Sequence, residues 1–105
     1  MPDPLSGFDS KIFAAQLHTP FKVLRDKEPP VTLELAEVNE RPTPPGIELF
    51  SLVFRGPAAP RLPQQMHRLE HEVLGAFDLF FTAIAGDNQG ISYEAVFHRL
   101  HKKRP

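Results

Sequence analysis

The sequence predicts a mainly β fold, a small antiparallel β-barrel or sandwich-like meander of about six strands with one N-terminal α-helix. Three observations carry this. Short segments alternate or run apolar in the manner of strands, with turn chemistry between them. The 12 prolines are unevenly placed, with eleven at or before Pro63 and the last at Pro105. Proline lacks an N–H and restricts its predecessor, so the first half must be built of short pieces. The 105 residues, 41% hydrophobic with nine Phe, one Tyr and no Trp, suffice for one core and are too few for two domains.

Taken in order, Asp9 before Ser10-Lys11-Ile12-Phe13-Ala14-Ala15-Gln16-Leu17 reads as a helix. Asp9 is its N-cap, and Phe8 and Phe13 are spaced as a hydrophobic staple. Pro20 ends it. Phe21 to Leu24 is a first strand, and Asp26 to Pro30 a turn. Val31 to Val38 alternates with period two, placing Val31, Leu33 and Leu35 on the buried face. After the Pro-rich loop 42–46, Ile47 to Phe54 is nearly all apolar, as expected of a central strand covered on both faces, and Gly56-Pro57 closes it.

Phe77 to Ile84 and Ile91 to Phe97 flank Gly86-Asp87-Asn88-Gln89-Gly90, which predicts a hairpin. Phe77, Leu79 and Phe81 share one face and Phe80 takes the other, while Tyr93, Ala95 and Phe97 align. Between them lies an ambiguous stretch. Met66, Leu69, Val73 and Leu74 fit a helical period, with Pro63 suited to a first turn and Gly75 to a C-cap. A strand over the same residues would give a continuous meander with short connections.

Composition narrows the function classes. With no cysteine, disulfide scaffolds, thiolate metal sites and thiol nucleophiles are excluded. No run approaches the about 18 apolar residues of a membrane helix, and Met1-Pro2-Asp3-Pro4 lacks the basic and apolar regions of a secretory signal. The expectation is a cytoplasmic protein with no membrane contact. His98, His101 and Lys102-Lys103-Arg104 make a basic end, but the net charge is −1, so no nucleic-acid partner is expected. Gly86 and Gly90 bracket a turn and no phosphate-cradling helix follows. No cofactor and no particular small molecule is expected.

The order Phe50-Ser51-Leu52-Val53-Phe54-Arg55-Gly56-Pro57, Leu62-Pro63-Gln64, Leu69 to Gly75, Leu79-Phe80-Phe81 and Tyr93-Glu94-Ala95-Val96-Phe97 resembles a small bacterial family, the domain of unknown function 6916 family. The resemblance covers about residues 8 to 99. It implies an N-terminal helix on a compact antiparallel β-domain, a strand over the ambiguous stretch, and no catalytic residue. It also points toward phage-tail-like proteins as the setting. This chain departs from the family pattern at His67, at His98 and at Thr82-Ala83.

Three groups of residues offer chemistry. His67-Arg68-Leu69-Glu70-His71 matches H-x-x-E-H, which on a helix would set two imidazoles and a carboxylate around zinc. On a strand His67 and His71 stand roughly 13 Å apart and one ion cannot join them. No metal is therefore expected, and the alternative is a small metal-dependent hydrolase using this cluster. Ser51 sits in mid-strand with no elbow and no base beside it. Arg55, ending the most apolar strand, suits a partner's carboxylate or an internal pair with Glu70 or Glu72. Phe80 is part of the core if the helix covers it, and otherwise adds to an exposed apolar patch that marks an interface. The expected function is a non-enzymatic structural or protein-interaction module, acting through a protein partner or self-association with Arg55, Phe80 and His71 as the interaction residues. A small-ligand-binding β-barrel is a further alternative.

Overall fold

A computed structural model describes residues 9–100, the side chains of 99 and 100 excepted. It contains α1 (Ser10–Ala14), β1 (Pro20–Arg25), β2 (Glu28–Glu40), β3 (Ile47–Gly56), β4 (Gln65–His71), β5 (Gly75–Asp87) and β6 (Gly90–Leu100). The six strands close into a barrel in the order β1-β2-β3-β6-β5-β4, every neighbouring pair antiparallel. Two three-stranded meanders, β1-β2-β3 and β4-β5-β6, thus meet along two seams. The β3–β6 seam runs from Ile47↔Leu100 to Gly56↔Ile91. The β1–β4 seam is short, Lys22↔Glu70 to Leu24↔Arg68.

Period-two alternation decides what fills the barrel. Inward side chains are Phe21 and Val23 from β1, Val31, Leu33 and Leu35 from β2, and Phe50, Leu52 and Phe54 from β3. The other meander supplies Leu69, then Phe77, Leu79 and Phe81, then Ile91, Tyr93, Ala95 and Phe97. Phenylalanine accounts for the density. Phe50 stacks on Phe97 at 4.6 Å, and Phe54 meets Phe21 edge-on at 5.2 Å, geometries that ring quadrupoles favour.

Each end of the barrel is closed by a different device. At one end α1 inserts Phe13, fully buried, between the rings of Phe97, Phe50 and Phe77 at 5.6, 6.2 and 6.4 Å. Five residues are too few for a helix to stand alone. Asp9 caps it by accepting from the Ile12 N–H at 2.9 Å, and the Ser10 hydroxyl bonds the Glu40 carboxylate at the end of β2. At the other end the loop between β3 and β4 drops Leu62 into the core, and the Leu62 N–H donates to the Tyr93 hydroxyl at 2.9 Å.

The structure departs from the sequence reading in three places. The helix stops at Ala14 instead of reaching Leu17, because Gln16 and Leu17 donate three residues back, to Phe13 and Ala14, and His18 turns left-handed at φ 67. Pro29 and Pro30 lie inside β2, not in the turn. They are tolerated because the β1–β2 register shifts between Val23 and Arg25 there. On β3 the outward Ser51 is buried, Leu49 and Val53 are half-buried and Arg55 is exposed, so the outer face is covered in part and the inner face fully. A closed barrel also has no central strand. Phe8 and residues 101–105 lie outside the described residues.

The ambiguous stretch is a strand. Gln65–His71 pairs with β5 from Gln65↔Phe81 to His71↔Gly75, and Gly75, at φ 83, turns the chain after it. The β5–β6 hairpin turns at Asn88-Gln89, where the Asp87 carboxylate accepts from the N–H groups of Gln89 and Gly90 at 2.8 and 3.0 Å. Gly90 is obligatory in this packing. A Cβ there would stand 2.7 Å from the Gly56 carbonyl oxygen.

Candidate functional site

On β4 the side chains of His67, Leu69 and His71 enter the barrel while Met66, Arg68 and Glu70 face out. The two histidines therefore occupy opposite ends of one interior row, and Glu70 points away from both, opposite Lys22 on β1. Four residues of strand separate the imidazoles by roughly 13 Å, far beyond what a single ion spans. Among the described residues no group of three or more His, Asp or Glu gathers as a metal site.

Each histidine instead pins a closing loop. His67 lies flat on Phe81 at 4.4 Å and donates from Nε2 to the Pro63 carbonyl at 2.7 Å, which holds the loop that carries Leu62. His71 packs on Phe21 at 4.3 Å. Its Nδ1 accepts from the Val73 and Leu74 N–H groups at 3.0 and 3.1 Å. With Nδ1 occupied as an acceptor, Nε2 carries the proton and donates to the Thr19 hydroxyl at 2.8 Å, and Thr19 in turn donates to the Gln16 carbonyl at 2.7 Å. One imidazole ties the β4–β5 turn to the segment after α1.

This network needs a neutral ring. Burial holds the His71 pKa below its ordinary 6.5, the nearby Glu72 carboxylate offsetting only part of that shift. The unfolded chain therefore binds more protons than the folded one just below pH 6.5, and stability rises with pH there. The contribution is complete above 6.5 and is lost on acidification through the lower folded pKa. Melting temperatures taken from about pH 8 to about pH 5 are expected to fall in the parent, and to fall less steeply in His71→Gln, which has no such proton to gain.

Arg55, at the end of β3, is exposed and stands opposite Glu34 on β2 and Ser92 on β6. Its guanidinium donates to the Ser92 hydroxyl at 3.0 Å. The expected internal pair with Glu70 or Glu72 does not form, because β3 and β4 lie on opposite walls of the closed barrel. Glu34 is engaged by His18 Nδ1 at 2.9 Å.

Phe80 points outward and is 47% exposed, and no helix among the described residues covers it. Directly opposite on β4 stands Met66, 61% exposed. On the same outer wall Arg68 pairs with Asp78 at 3.3 Å. Arg55, Phe80 and His71 are thus not one site. Phe80 lies on the outer β4–β5 wall, Arg55 on the far wall, and His71 inside one end. Ser51 is buried on the outer side of β3 between Asn39 and Val96, and its hydroxyl has no hydrogen-bond partner among the described residues.

The residues that sequence reasoning missed are Thr19 and Tyr93, whose hydroxyls satisfy groups 52 and 31 positions away. No local pattern carries such information, although a lone Tyr among nine Phe is itself a signal that one ring must bear a hydroxyl. No helix among the described residues is long and apolar enough to cross a membrane.

A family model described as Domain of unknown function (DUF6916) matches residues 8–97. No curated protein and no solved structure matches the chain.

Proposed function

Because the chain belongs to the DUF6916 family, whose description assigns no activity, we propose from the geometry alone that the domain is a non-enzymatic structural or protein-interaction module. The supporting observation is the cross-strand pair Met66 and Phe80, 61% and 47% exposed on the outer wall of β4 and β5. Large apolar side chains held rigidly side by side in water mark contact surfaces. The barrel interior supports the same reading, since large side chains fill it and its two histidines are committed to loop closure. In its finer form the proposal makes the domain an accessory of a larger, phage-tail-like assembly in the cytoplasm of a bacterium, bound to a protein partner or to further copies of itself.

The double variant Met66→Ser, Phe80→Ser tests this. Its melting temperature is expected to stay within a few degrees of the parent, since neither side chain is in the core. Solution mass and capture of proteins from the host extract are expected to reveal association by the parent and its loss in the variant. Association that survives the double change, or a parent that stays monomeric and captures nothing, would refute the reading.

A further inference from the structure

We propose that His71 is a proton-operated latch: in acid its ring swings out of the barrel, and the end that Phe13 plugs opens while the rest of the barrel stays closed. The supporting geometry is the set of donors around the ring. Nδ1 accepts from both the Val73 and Leu74 N–H groups, and Nε2–H donates to the Thr19 hydroxyl. A second proton turns Nδ1 into a donor that faces two donors, so both bonds to the turn are lost. The cation would also be buried against the Phe21 ring with no buried carboxylate among the described residues to compensate it. This latch is separate from the Met66–Phe80 wall and does not rest on it.

The fold provides a place for the displaced ring. His71 borders a cleft of about 390 Å³ with Lys22 on β1, Thr32 on β2, Glu70 on β4 and Glu72 in the turn. β5 brings only Gly75 and Ala76 to it, and beyond Thr19 the exposed His18 is paired with Glu34. Lys22 stands opposite Glu70 in register. Glu72, exposed and next in the chain, is the carboxylate that favours the charged ring.

Opening stays local because this end is lightly held. The β1–β4 seam beside it joins three residues of each strand, against ten on the β3–β6 seam. Once the ring has left, the Thr19 hydroxyl retains the Gln16 carbonyl, a partner within its own segment. The five residues of α1 then depend on the Phe13 ring and the cap at Asp9. What opens is the mouth walled by Phe50, Phe77 and Phe97 around that ring, so acid converts a sealed end into an apolar opening.

Amide exchange of the full chain, expressed as protection factors from about pH 8 to about pH 5, tests the latch. Protection of Val73, Leu74, Gln16 and Leu17 is expected to fall below pH 6.5, by up to about tenfold per pH unit, the limit for one linked proton. It should lie at least about tenfold below that of the β3–β6 seam throughout. Glu72→Gln should move the fall to lower pH and Lys22→Gln to higher pH, since one removes a carboxylate and the other an ammonium from the cleft that receives the cation. Both side chains are exposed, so these variants keep the fold. His71→Gln should give a flat profile. The proposal is overturned if the four amides match the seam at every pH, which would mean that only global unfolding frees the ring, if their protection does not change with pH, or if the fall persists in His71→Gln.

Discussion

Phe54→Ala is expected to remove about 3–5 kcal/mol of stability and leave the domain marginal or unfolded at ordinary temperature. Phe54 is fully buried on β3, flanked in register by Leu35 and Tyr93, with the rings of Phe21 and Phe81 at 5.2 and 6.3 Å. Truncation forfeits the transfer energy of the ring and opens a cavity walled by aromatic groups on three other strands, which cannot all move inward together. Val53→Ala, one position away on the half-buried outer face, is the matched control and should cost about 1 kcal/mol. Urea titration of the two variants measures the difference. Equal midpoints would mean that the inner face of β3 has been misassigned.

The second large effect is expected at Phe13. Its ring is fully buried and packs against the rings of Phe50, Phe77 and Phe97. Phe13→Ala is expected to cost about 3–5 kcal/mol by the same cavity argument. Its signature should differ, because a helix of one and a half turns has no intrinsic stability to fall back on. The amides of Gln16 and Leu17, bonded now to Phe13 and Ala14 carbonyls, should lose their exchange protection, while those along the β3–β6 seam keep theirs at reduced overall stability. If these two amides stay protected, the Asp9 cap and the Ser10–Glu40 bond hold α1 and the turn after it without the plug.

Some of this was legible in the chain and some was not, for definite reasons. Alternation marked the inner faces of β2, β5 and β6 because each has one side in the core and one in water. The helix cap at Asp9 was legible because its partner lies only three residues on. The identity of β4 was not, since Met66, Leu69, Val73 and Leu74 satisfy a helical period by accident. Short connections and the family resemblance decided it. Closure of the sheet is invisible locally, and that is why the sequence offers Glu70 or Glu72 as an internal partner for Arg55. Only the strand order shows that they face away from one another, and that Ser92 is the residue within reach. Alternation puts Phe80 on the face opposite Phe77, Leu79 and Phe81 but does not say what covers that face, and its companion Met66 emerges only from the β4–β5 register.

The division into two meanders also dictates the order in which the molecule can assemble. Within each meander the turns are short and the hairpins can zip on the microsecond scale typical of local pairing. The seams are different, since Phe54 must find Tyr93 and Val23 must find Leu69 across long stretches of chain. Such non-local searches dominate the folding time of barrels, placing it nearer milliseconds to seconds. The two halves differ in what they stand to gain from the search. The β3–β6 seam joins ten residues of each strand, from Ile47 to Gly56 against Ile91 to Leu100, whereas the β1–β4 seam joins only three of each. The long seam is therefore suited to form the committed nucleus, and the short one to close last and breathe first, with Thr19 and His71 acting as its fastening.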